Sequence, residues 1–122
     1  MTGSSRTASM RKLVSDYRAK YPGEALDGGV SAGYPAAAIV GEALKKACEA
    51  GDLSREGVLT VHRARGAWDG GYGTEMDFSV VDKPATRATY IVKPDKEAVG
   101  GAVIYREAAV SDLAGEYTVP VG

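Results

Sequence analysis

The sequence predicts an α/β protein in which about three helices are followed by three strands. Two observations carry this expectation. Apolar residues recur at helical spacing up to about Gly66, and from Met76 onward they alternate with a period of two. Strands that follow one another through short turns then favour antiparallel neighbours.

The first helix is expected from Ser9 or Thr7, either of which can cap it, with Met10, Leu13, Val14 and Tyr17 spaced i, i+3, i+4, i+7. Pro22 stops it, because proline disfavours α geometry at the residue before it. The second runs from about Val30 to Ala50 and has the clearest periodicity. Ala36, Ile39, Val40, Ala43, Leu44 and Ala47 form one apolar stripe, with Cys48 at its edge. Glu42, Lys45, Lys46 and Glu49 take the other side, and Glu42–Lys46 is a favourable i, i+4 pair. Gly51 is placed to close the helix as its C′ residue. Pro35 lies inside the pattern, so the regular helix either starts near it or kinks there.

Asp52 or Ser54 can cap a short third helix with Val58, Leu59 and Val61 on its inner side, ended by Gly66. Met76, Phe78 and Val80 then alternate with Asp77, Ser79 and Val81 as a half-buried strand. Asp82-Lys83-Pro84 turns the chain. Residues 88–92 and 102–105 read as the second and third strands, separated by a turn at Pro94-Asp95 and by Gly100-Gly101. Residues 1–8 are expected to be a disordered tail, 9–107 the structured segment and 108–122 an exposed tail. Three strands and one long amphipathic helix make a thin domain, since the helix stripe calls for a larger sheet than these strands supply.

Composition narrows the function classes. With 15 basic and 16 acidic residues in mixed order the chain carries no basic stripe, which argues against a nucleic-acid partner. No apolar run is long enough to span a bilayer, and the polar start shows no signal peptide. Cys48, the single cysteine, cannot form an internal disulfide or a thiolate cluster, and is expected to be a small buried hydrophobe.

No catalytic or metal-binding constellation emerges from the residues, and no cofactor is expected. Gly70-Gly71-Tyr72-Gly73 lacks both the strand-before, helix-after context of a dinucleotide loop and the Gly-Lys-Ser/Thr of a P-loop, so a turn is expected. His62, the only histidine, shows no convergent partner. Pairing it with Glu75 or Asp77 gives a weak enzyme reading, and these carboxylates more often form the polar side of a strand. Trp68 and Tyr72 can stack on a ligand, but capping the core edge is the commoner fate of aromatics in a turn.

The order of the pieces resembles the C-terminal part of ABC-transporter solute-binding proteins of the branched-chain amino acid (Leu/Ile/Val) family. The matching pieces are YRAKYP (17–22), GYPAA (33–37), EALK (42–45), GDLSREG (51–57), GGYGT (70–74), DFS (77–79) and ATYIV (88–92). The resemblance implies a partial type I periplasmic-binding fold, of which this chain is the last third or so. It implies an extracytoplasmic protein that captures an amino-acid-like solute by lobe closure and delivers it to an ABC permease, without catalysis. It brings the stretch before GYPAA near the ligand cleft, mapping that role onto Gly29, Val30 and Ser31, with Tyr34 as the nearest aromatic. Packing of Tyr34 against a sheet is the competing expectation. The alternative function is a self-standing interaction module that buries its helix stripe against a partner or in a homodimer.

Overall fold

The structure is a computed structural model that describes residues 7–120. Residues 1–6 of the expected N-terminal tail lie outside the described residues. The first helix, α1 (Ala8–Lys20), begins at Thr7, whose side chain accepts from the Met10 amide. Helix α2 (Gly28–Glu49) begins at Asp27, whose carboxylate accepts from the amides of Gly29 and Val30 at 2.9 and 3.3 Å. Proline is accommodated inside it: Pro35 is buried on the second turn and the helix neither starts nor stops there. Its end is a Schellman motif, in which Gly51 at φ +78° lets the Asp52 amide return to the Ala47 carbonyl at 3.0 Å. Helix α3 (Arg55–Ala64) is capped by Ser54, which accepts from the Gly57 amide at 3.0 Å, and Gly66 follows it at φ +71°.

Beyond α3 the strands are arranged differently from the expectation. β1 (Ala67–Trp68) and β2 (Met76–Asp77) form a two-residue antiparallel ladder around the glycine turn. The alternating run to Val81 does not continue as a strand, for two local reasons. Its partner β1 offers two residues only, and the Asp77 carboxylate takes the Ser79 amide at 2.8 Å, which bends the chain. Val80 and Val81 are left exposed.

β3 (Thr89–Pro94) and β4 (Ala102–Ala109) form the antiparallel hairpin that the sequence anticipates, with a bulge near Ile91. A short helix, α4 (Asp112–Glu116), follows and is tied back by Arg87, which donates to the Ala114 and Tyr117 carbonyls. Among the described residues there are therefore four helices and two small sheets, an α/β architecture.

The core is small. Leu13 is fully buried, joined by Met10, Ala43, Ala47 and Trp68. Burying a leucine is worth roughly 2 kcal/mol, so this core is thin support for the chain, and Val40, Leu44, Leu53, Leu59, Ile91 and Val92 stay exposed. Cys48 is exposed, which corrects the expectation of a buried thiol: it lies on the solvent side of α2, next to the buried Ala47.

Candidate functional site

The candidate cleft residues lie in the first two turns of α2. The Asp27 cap satisfies the orphan amides of Gly29 and Val30 there. Val30 and Ser31 are half-buried, and the Ser31 hydroxyl donates to the Gly28 carbonyl at 3.0 Å. Tyr34, one turn on, is 38% exposed.

Tyr34 does not settle on the hairpin. Its hydroxyl donates to Asp16 Oδ2 on α1 at 3.3 Å, and its ring packs on Tyr72 of the glycine turn, with centroids 5.7 Å apart. Asp16 also accepts from Lys12 at 2.7 Å, which holds its carboxyl below the ordinary range. Tyr72 in turn stacks beside Trp68 at 6.4 Å and 18°. Three elements thus meet in one aromatic file, Tyr34–Tyr72–Trp68.

The glycine turn is built to hold that file. The Asp69 carboxylate accepts the Gly71 amide at 2.8 Å, and the Thr7 hydroxyl donates to the Gly71 carbonyl at 2.5 Å. Gly71 sits at φ +76°, and a Cβ on Gly70 would come 2.5 Å from Trp68 Cη2. The turn reading of these glycines stands, because they join β1 to its antiparallel partner β2, and a strand rather than a helix N-terminus follows them.

Beneath the file lies a polar group that the sequence did not reveal. Trp68 Nε1 donates to Glu42 Oε2 at 2.7 Å, and the Arg65 guanidinium, 2% exposed, lies 3.6 Å from the same oxygen. Arg65 Nη2 also donates to the Ile39 carbonyl at 3.1 Å. Glu42 had shown only its i, i+4 pairing with Lys46, seen here at 3.7 Å. The longer-range contacts have no local sequence signal.

His62 packs its ring on Phe78 at 4.7 Å, and burial, then Arg65 and Arg63, push its pKa down. Arg63 anchors the same residue by donating to the Phe78 carbonyl at 2.8 Å. Among the described residues neither Glu75 nor Asp77 bonds to His62, and Asp77 serves the Ser79 turn instead. No group of three or more His, Cys, Asp or Glu side chains that could hold a metal ion is found among the described residues, and no helix among them is long and apolar enough to cross a membrane.

A second concave surface lies between α2 and α3. Ile39, Val40, Ala43, Leu53, Val58 and Leu59 line an open groove of about 540 Å³, with Arg55 and His62 at its edge.

No protein-family model matches the chain, and no curated protein matches it. Among solved structures it is similar to a fatty acid ABC transporter substrate-binding protein from Thermomonospora curvata. The two are 52% identical with a TM-score of 0.88, and the match covers 93% of this chain. The chain spans 29% of the length of that protein. It is thus a partial periplasmic-binding fold of the α/β class, similar in sequence and shape to a segment of an ABC transporter substrate-binding protein.

Proposed function

We propose that this chain is the C-terminal segment of an extracytoplasmic solute-binding protein that captures a small aliphatic carboxylate by lobe closure and delivers it to an ABC permease. The observation that carries the reading is the 52% identity and TM-score of 0.88 to a substrate-binding protein over 93% of this chain. Capture of this kind is non-covalent, so no residue acts as nucleophile, acid or base. The segment extends beyond the expected bounds of 9–107: Thr7 and Ala8 cap and open α1, β4 runs to Ala109, and α4 within the expected 108–122 tail is tied back by Arg87.

The family resemblance suggested an amino-acid-like solute, whereas the T. curvata protein is described as a fatty acid binder. Both solutes carry a carboxylate on an aliphatic chain. The high identity favours the fatty acid for this chain, with a branched-chain amino acid as the competing solute. Val30, Ser31 and Tyr34 are the proposed contribution to the cleft: an apolar wall, a hydroxyl and an exposed phenol within two turns of α2. A one-sided cleft cannot enclose a solute, so the segment alone binds poorly.

The test is a chimera in which this chain replaces the matching segment of the T. curvata protein. Thermal shift with hexadecanoate and with leucine separates the two solutes. Tyr34→Ala in the chimera is expected to weaken binding of the responding solute about tenfold, the loss of one well-placed contact of about 1.4 kcal/mol. A chimera that folds but responds to neither solute contradicts the reading. The alternative, a self-standing homodimeric module, predicts instead a stable dimer of the isolated chain by light scattering.

A further inference from the structure

We infer that the groove between α2 and α3 is the surface on which this segment docks against the rest of its substrate-binding protein. This rests on the proposed function above and adds the interface that joins the segment to the remaining polypeptide.

Val40 of α2 and Leu59 of α3 both line the groove and are 57% and 52% exposed, as is Leu53 at 62%. Apolar side chains at Ile39, Val40 and Ala43 on one helix and at Val58 and Leu59 on the other give a continuous apolar floor. A contiguous exposed patch of this kind marks an interaction site. Of the polar groups of α2, Glu42 is engaged by Trp68 and Arg65 and Lys46 by Glu42, and neither lines the groove.

The likeness to the T. curvata protein identifies the occupant. The same shape is held there as 29% of a longer chain, so a covering polypeptide is covalently at hand and no second copy is needed. The cover is an apolar surface. It carries a carboxylate or carbonyl oxygen for Arg55, which makes no ion pair or side-chain hydrogen bond among the described residues.

The test places Val40→Glu and Leu59→Glu separately in the isolated chain and in the chimera. Glutamate suits an exposed helical position, so the isolated chain keeps its helical circular dichroism and its melting temperature. In the chimera the same carboxylate is buried in an apolar contact whose desolvation cost a pair with Arg55 does not offset, and the melting temperature falls by roughly 5 °C or more. Leu113→Glu, at an exposed site away from the groove, changes neither protein.

Substituted chimeras that melt with the unsubstituted one overturn the docking surface while leaving the proposed function standing. So does an isolated-chain dimer that either substitution dissociates, which would make a second copy the occupant. Hexadecanoate binding by the isolated chain that Leu59→Glu abolishes would make the groove a solute site and equally overturn it. An unsubstituted chimera that does not fold overturns the proposed function, and the docking surface with it.

Discussion

Trp68 Nε1 and Glu42 Oε2 meet at 2.7 Å, joining β1 to the middle of α2 across 26 residues of sequence. The same carboxylate lies 3.6 Å from the Arg65 guanidinium, whose Nε and Nη1 have no hydrogen-bond partner among the described residues. Glu42→Ala therefore strands an indole N–H and a buried cation together. The expected cost is about 1–3 kcal/mol, read as a lower urea midpoint and a red-shifted emission from the single tryptophan. Glu42→Gln keeps an acceptor for Trp68 but loses the charge facing Arg65, and is expected to fall between Ala and the native residue.

The glycine turn yields a paired prediction. Gly70→Ala drives a methyl into the Trp68 ring, whereas a Cβ on Gly73 meets nothing within 4 Å. Gly70→Ala should destabilise by about 1–3 kcal/mol and shift the tryptophan emission. Gly73→Ala should leave both unchanged. Equal effects would show that the turn does not hold the Tyr34–Tyr72–Trp68 file in place.

Helices were the legible part of this fold, because their signals are local. Ser54, Gly51 and Gly66 act where their residue types place them, and the long stripe of α2 follows from period alone. The strand over 76–81 was misjudged because alternation describes a surface and says nothing of a partner. β1 offers two residues and Asp77 turns the chain at Ser79. Pro35 lies inside α2, which overturns the helix start that the sequence allowed there. At the candidate site, Val30, Ser31 and Tyr34 came from family resemblance. Tyr72, Asp16 and Glu42 became visible only when separate elements met.

Acidification should destabilise the protein in two stages. In the folded chain the His62 pKa lies below its ordinary 6.5, chiefly through burial and then through Arg65 and Arg63. The unfolded chain then takes up the proton first, so stability is full above about pH 6.5 and declines as the pH falls from there toward the folded value. Asp52 and Asp77 are held below their ordinary 3.8, mainly by the Ser54 and Ser79 hydroxyls respectively. Their contributions persist above that value and are lost below it. Urea midpoints measured from neutral to acidic pH should show both stages, and His62→Phe, which keeps an aromatic ring beside Phe78, should remove the first alone.

Ser31 offers a milder test of the cleft than Tyr34. Its hydroxyl bonds within its own helical turn, to the Gly28 carbonyl, and alanine is a good helix former, so Ser31→Ala should leave the chimera's fold intact. Solute affinity is expected to drop by a few-fold, corresponding to a hydrogen bond of about 1 kcal/mol. A titration of the Ser31→Ala chimera that superimposes on the unsubstituted one would remove Ser31 from the cleft.

The most direct measurement is the melting temperature of the unsubstituted chimera with and without saturating fatty acid. A segment of a solute-binding protein predicts one cooperative transition that moves up by several degrees with fatty acid, as ligand binding to the folded state requires. Two separate transitions, or one that neither hexadecanoate nor leucine moves, would contradict the account.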